Sequence, residues 1–323
     1  MQKGRLMIRI NNLNISLDRK EEGSDFDFIS HAHSDHIMAA KSSKSVIASD
    51  ETSDLIYSGY KIGINRAAYP DFIRLIDSGH MLGAKQIAIE DYDSGNKIIY
   101  SGDYLMAKSK ASNPIKVEGC DILIIDSTYP SEQFVFRDRE EVEYEIQEWV
   151  ERTVRKGIIL FGVYPMGKAQ EIIKILNEIG IKPAVNRKIS AISKVYNKYG
   201  QNLDYGSIYE GDEDLFDGDF VGIIGTRSLK KVKHMLSYLH HKPVYTAETT
   251  GFSKVFSLSV EKQFELSDHS DFKQALRYID FADPKKIYTY GENSHIFSAN
   301  LKKLGYNSEP FQSLKKLGNA TSL

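Results

Sequence analysis

The 323-residue chain has a single cysteine, Cys120. That excludes an internal disulfide, so stability has to come from a packed core, and it fits a reducing cytoplasm. Cys120 stands just before the apolar run Asp121-Ile122-Leu123-Ile124-Ile125 and reads as packing, not as a nucleophile. No stretch approaches 18 consecutive apolar residues, which leaves no candidate membrane span. Met1-Gln2-Lys3-Gly4 leads straight into strand-like sequence, with no apolar core of a signal peptide. Charge of one sign is also lacking. The net charge of −2 neither favours nor disfavours a nucleic-acid partner, which only a local basic patch could attract. Neither repeats nor low-complexity segments occur. What remains is 41% hydrophobic and 27% charged, the balance of a soluble globular protein of one or two domains.

Along the chain the first part alternates like short strands: 6–10, 13–17, 26–28, 44–48, 72–76, 86–90 and 97–100, with Asn11-Asn12 and Asp93-Ser94-Gly95-Asn96 as turns. A helix should begin at Asp50, its candidate cap. Ile122–Ile125 is apolar throughout, as a strand buried on both faces would be. After Pro130 the texture changes. Helical periodicity over 139–154, 169–179 and 229–239 alternates with strand-like 158–163 and 220–225. That alternation predicts a small parallel α/β unit inserted at 135–245, between a first part at 1–134 and a returning part at 246–323. The return should hold strands at 243–246, 255–258 and 287–290, a helix at 272–281 and a last helix from Phe297. The tail 318–323 reads as disordered.

The densest chemistry lies in Ile29-Ser30-His31-Ala32-His33-Ser34-Asp35-His36-Ile37. Three of nine histidines and an aspartate fall within six residues, which an ordinary surface loop would not concentrate. Imidazole and carboxylate together are the ligand set of a borderline-soft divalent ion, zinc first. On a strand His31 and His33 would point the same way. Asp35 and His36, at a turn from strand into helix, would aim at a second position nearby. Two ions a few ångströms apart suit phosphodiester or acyl hydrolysis.

This spacing resembles the HxHxDH signature of the metallo-β-lactamase fold, and later stretches match that family in order. Ser78-Gly79-His80-Met81-Leu82-Gly83 and Tyr100-Ser101-Gly102-Asp103-Tyr104 stand where the resemblance implies further ligands. By it, His31, His33 and His80 hold one ion, Asp35 and His36 the second, and Asp103 bridges both. The implied nucleophile is a water that the pair acidifies, with Asp35 counted among the catalytic residues. The implied fold is the αββα sandwich of that family.

Two more stretches resemble the β-CASP nucleases within it. Asp126-Ser127-Thr128-Tyr129 is similar to their motif A, and Ser267-Asp268-His269-Ser270-Asp271 to their motif B, whose histidine protonates the leaving group. An acid beside two cations needs a carboxylate to hold its proton, and Asp126 is the candidate. Gly167-Lys168-Ala169-Gln170, at a predicted helix start, recurs in the group and suits a phosphate. With Lys168, the residues Gly167, Ser270, Lys230, Lys231 and Lys233 make up the expected nucleic-acid contacts. One departure stands out. Where RNA-cutting members keep a metal-binding histidine before Gly-Glu, this chain has Thr289-Tyr290-Gly291-Glu292. Neutral phenol is a poor zinc ligand, so one zinc should be tight and a second weaker, with manganese or magnesium as alternatives there. His295 is the other residue within reach. The resemblance, covering roughly 5–310, implies a zinc-dependent nucleic-acid phosphodiesterase. Its length is nearer to the compact ligase-associated DNA exonucleases than to the messenger-RNA cleavage branch, and the missing histidine is shared with DNA cross-link repair relatives, so DNA is expected over RNA. The rivals are a thioesterase- or lactonase-type hydrolase of the same fold and a catalytically silent scaffold. The inserted domain and the retained ligands argue against them in turn.

Overall fold

The computed structural model describes residues 6–216, 218–251 and 259–311. It divides into two compact units, Met1–Val135 with His269–Leu323, and Phe136–Asp268.

The first unit starts with β1 (Met7–Ile10) and β2 (Leu13–Leu17), antiparallel across Asn11 and Asn12. Both asparagines have positive φ, 45° and 64°, the conformation a tight hairpin turn of the right hand requires. β3 (Phe26–Phe28) and β4 (Val46–Ile47) extend this into a four-stranded sheet, followed by α1 (Asp50–Tyr60). Ser49, not Asp50, caps that helix: its Oγ accepts from Thr52 N. Asp50 is the first helical residue, where its charge suits the positive end of the helix. The second sheet begins with β5 (Ile73–Asp77), β6 (Lys85–Glu90), β7 (Lys97–Tyr100) and β8 (Ile122–Asp126).

The chain then builds the second unit from α2 (Arg139–Thr153), β9 (Ile158–Val163), α3 (Lys168–Asn177), β10 (Ala184–Val185), α4 (Arg187–Lys198), β11 (Val221–Gly225), α5 (Leu229–His240), β12 (Val244–Thr249) and β13 (Lys262–Phe264). Its five strands form one parallel sheet in the order β10-β11-β9-β12-β13. The return to the first unit therefore comes at residue 269, not 246. The physical reason is that β12 and β13 bond into this parallel sheet instead of going back. The strand expected at 255–258 and the disordered tail expected at 318–323 lie outside the described residues.

Back in the first unit, α6 (Phe272–Ala282), β14 (Lys286–Tyr290), α7 (Ser294–Lys303) and β15 (Ser308–Pro310) complete a six-stranded sheet, β15-β14-β8-β7-β6-β5. β8 shows why the layers stack. Ile122 and Ile124 pack toward Ile8, Ile15, Leu17 and Phe28 of the other sheet. Leu123 and Ile125 pack against Phe272, Ile279, Phe297 and Leu301 of α6 and α7. Alternating side chains thus fill the core between the sheets and the core beneath the helices, each buried Ile or Leu contributing roughly 1.5–3 kcal/mol. This is a mixed α/β architecture with several sheets, as the resemblance implies. No helix among the described residues is long and apolar enough to cross a membrane.

Candidate metal centre

β3 ends at Phe28, and residues 31–36 run through bends and turns. The expected strand-to-helix transition is absent. A turn closed by His36 N donating to His33 O at 3.1 Å, not the strand pleat, sets the directions of these side chains. Even so, their nitrogens converge. His33 Nδ1 lies 3.1 Å from both His31 Nε2 and His80 Nε2. Asp103 Oδ2 faces His31 Nε2 at 3.5 Å, His80 Nε2 at 3.8 Å and His36 Nε2 at 3.4 Å. His80 follows Gly79, and Asp103 follows Gly102, both at positive φ. A Cβ on Gly102 would meet Ser30 Cβ at 2.7 Å, so only glycine lets the Asp103 loop approach the histidine segment so closely.

Asp18 holds this arrangement from behind. It is buried, follows β2 directly, and has a φ of 56°. Its carboxylate accepts from Ser30 N at 2.6 Å, Ser30 Oγ at 2.7 Å, Tyr100 Oη at 2.7 Å and His36 Nδ1 at 2.8 Å. With Nδ1–H of His36 spent on Asp18, Nε2 is the nitrogen that faces Asp103. Ser30 Oγ does the same for His31, lying 2.9 Å from its Nδ1. Orientation of ligating imidazoles through the second nitrogen is the common device of metal sites. Asp18 and Tyr100 were not among the residues singled out from sequence. The one local signal is an aspartate closing an apolar strand.

The electrostatics fit a cation. Burial and the neighbouring imidazoles hold His31 well below the ordinary histidine range. Burial works against a charged His36 as well, but Asp103, Asp18 and Asp35 outweigh it and lift that histidine to about 10. Burial pushes Asp103 up to about 6 against the pull of His36 and His269. Carboxylates and imidazoles crowded in this way share protons that one divalent ion would replace. The spacings agree with this. Ligands at roughly 2.0–2.1 Å around a tetrahedral ion stand about 3.3 Å apart, close to the 3.1–3.8 Å from His33 to His31 and His80 and from Asp103 to His31 and His80. The cluster can therefore hold a metal.

A second group able to do so is Asp103, Asp126 and His269. His269 Nδ1 lies 3.2 Å from Asp126 Oδ2 and its Nε2 3.7 Å from Asp103 Oδ2. Asp35 sits at the rim, its side chain 79% exposed and 3.6 Å from His36 Nε2. Tyr290 is the direct partner of Asp126 in the β8–β14 register. Its ring packs on Tyr100 with centroids 4.8 Å apart, and burial holds its hydroxyl well above the ordinary phenol range, hence neutral. His295 is exposed on the first turn of α7 and belongs to neither group.

The expected phosphate contacts divide. Lys168 is buried, with Nζ 2.7 Å from Asp268 Oδ1 and 2.8 Å from Leu266 O, so it braces the chain ahead of His269 instead of facing a phosphate. Gly167 N donates to Gln170 Oε1 at 2.8 Å, which occupies the helix-start donor that a phosphate would have used. Ser270 Oγ is buried and accepts from Met106 N at 2.8 Å. In each of these three a partner within the chain holds the polar atom that residue type offers to a phosphate. Lys230 and Lys231 are exposed on α5, and Lys233 pairs with Glu261.

No family model matches the chain. Among curated proteins it is 23% identical over 292 residues to a probable DNA ligase of Opitutus terrae, covering 86% of this chain but 28% of that protein. It is 31% identical over 147 residues to the uncharacterized protein in the lig 3'region of Acidianus ambivalens, covering 44% of this chain and 99% of that one. With the RNase J-like protein of Methanocaldococcus jannaschii it shares 24% identity over 380 aligned positions, 92% of this chain and 89% of the relative.

Proposed function

Because the chain belongs to the β-CASP group of the metallo-β-lactamase superfamily, we propose that it is a metal-dependent phosphodiesterase that cuts nucleic acid. One observation carries this reading. His269 is held by Asp126 through Nδ1 while its Nε2 is turned toward Asp103 and the imidazole cluster. His31, His33, His80 and Asp103 would hold one ion, and His36 and Asp35 would share Asp103 with a second. Such a centre, when loaded, supplies an acidified water and neutralises charge developing on a phosphate.

The chain's own residues do the rest. Asp126 stabilises the imidazolium form of His269, so a proton stays on Nε2 despite nearby positive charge. From there it can pass to the oxygen that leaves with the cut strand. An alkoxide leaving group needs that proton, whereas a thiolate leaves without one, so a built acid favours a phosphodiester over a thioester. The donor set suits zinc at the three-histidine position. At the second position one imidazole and carboxylates make a weaker zinc site, open to manganese or magnesium, and Tyr290 adds no imidazole. We take DNA as the substrate and removal of nucleotides from an end as the reaction. The support is tyrosine at the position where RNA-cutting members keep histidine, and the likeness to a probable DNA ligase.

The test uses end-labelled single- and double-stranded DNA and RNA with the purified protein, first chelated, then given zinc, manganese or magnesium. End-directed shortening of DNA that needs added metal is the expected result. Equal cutting by the chelated protein, or no cutting of any nucleic acid with any of the three ions, would refute the reading.

A further inference from the structure

We propose that the outer face of α5 is an accessory nucleic-acid site that binds the polymer independently of the metal centre. The proposal rests on the nuclease reading only for the identity of the polymer. From Thr226 to Pro243 the chain has no aspartate or glutamate, but it has Arg227, Lys230, Lys231, Lys233 and Lys242, and His234, His240 and His241. The helix spends its apolar stripe on its own sheet: Leu229 and Leu236 are buried, with Val232 beside them, against Ile158, Leu160, Phe220 and Val244. The opposite side presents Arg227, Lys231, His234, Tyr238 and His241, all exposed. Their spacing of four, three, four and three residues keeps them on one face.

Local ion pairs do not quench this face. Lys233 is paired with Glu261 and Lys242 with Asp219. No carboxylate among the described residues lies within ion-pair distance of Arg227, Lys230 or Lys231. Nor does the helix gain by them. Lysines in the first turn oppose the positive end of its dipole, and neither acidic residue nor side-chain cap offsets them. A local rule broken without local compensation points to an outside partner, and unquenched cations on one face fit a polyanion. Tyr238, 77% exposed with its ring 6.3 Å from that of His241, offers the π-face on which a base can stack. Met235 and Leu239 are also exposed on this helix, but two such residues fall short of the continuous apolar face that an acidic membrane takes, and a second copy would set these cations against themselves.

The experiment measures binding of a fluorescently labelled single-stranded 20-mer to the full chain in chelator, across a salt series. A small chromogenic phosphodiester is assayed in parallel with metal present. The wild type should bind in chelator, with affinity falling as salt rises. K230Q/K231Q should weaken binding about tenfold and flatten the slope of log affinity against log salt by about 1.4, from roughly 0.7 per neutralised phosphate on a single strand. Y238A should weaken binding by about tenfold with the slope unchanged, as loss of a stacking contact does. Turnover of the small ester should be unaffected in Y238A. If the variants bind the 20-mer as the wild type does, the proposal is overturned and the nuclease reading stands. Binding by the wild type to phosphatidylserine vesicles but not to the 20-mer overturns it too. Binding through α5 without cleavage under any metal supports the site and overturns the nuclease reading instead.

Discussion

His269 is held through Nδ1 by Asp126 at 3.2 Å, while its Nε2 faces Asp103 from 3.7 Å, the orientation that the proposed acid needs. Replacing it with alanine should slow cleavage by about 10²–10⁴-fold, the usual contribution of a positioned proton donor. Metal content, measured by emission spectrometry, should stay at the wild-type level. An ester with a nitrophenolate leaving group, which departs unprotonated, should recover most of the rate; if it recovers none, His269 has another job. The same residue scale shows what sequence conceals. Lys168 carries the attributes of a phosphate ligand, but its ammonium is sequestered by Asp268 and the Leu266 carbonyl. Asp18 looks like any residue at a strand end, yet it takes four hydrogen bonds that orient the cluster.

The loops between elements deliver the ligands, and glycine sets how closely they approach. Gly102 has a φ of 53°, and an added Cβ would meet Ser30 Cβ at 2.7 Å and Ser30 Oγ at 3.0 Å. Gly102→Ala should therefore cost about 1–3 kcal/mol of stability from backbone strain and displace Asp103, lowering bound metal as well. Denaturant midpoints and metal analysis check both, and wild-type values for the two together would contradict the proposed fit. Periodicity made most elements legible, because a strand such as β1 or a helix such as α2 writes its burial into alternate or every third or fourth residue. β13 and β15 were missed for the same reason. Each has three residues and only one of them buried, which shows no period, and their parallel neighbours make them strands.

At the scale of the whole molecule, every residue of the imidazole and carboxylate cluster found among the described residues belongs to the first unit. Removing metal should therefore loosen one unit selectively. Ions that bind only the folded state stabilise it by mass action, and that loss should appear as faster amide exchange in residues 18, 29–36, 78–82 and 101–104. Exchange in β9, β11 and β12 should be unchanged by the chelator. An equal rise in both units would mean that the metal supports the whole chain, and the cluster would then not be a self-contained property of the first unit.

Residue types and their order, all present in the sequence, determined the kind of chemistry: histidines and aspartates of metal-ligand character, spaced and ordered as in a known family, between strands whose periodicity is written in the side chains. Tertiary structure alone decided which polar atoms remain available. The partners of Asp18 lie 12 to 82 residues away and the partner of Lys168 a hundred residues on, and hydrogen bonds and charges act through distance in space, not along the chain. It also decided where the second unit ends, since β12 and β13 join the parallel sheet through backbone hydrogen bonds, which every residue type but proline can donate and which therefore leave little trace in composition.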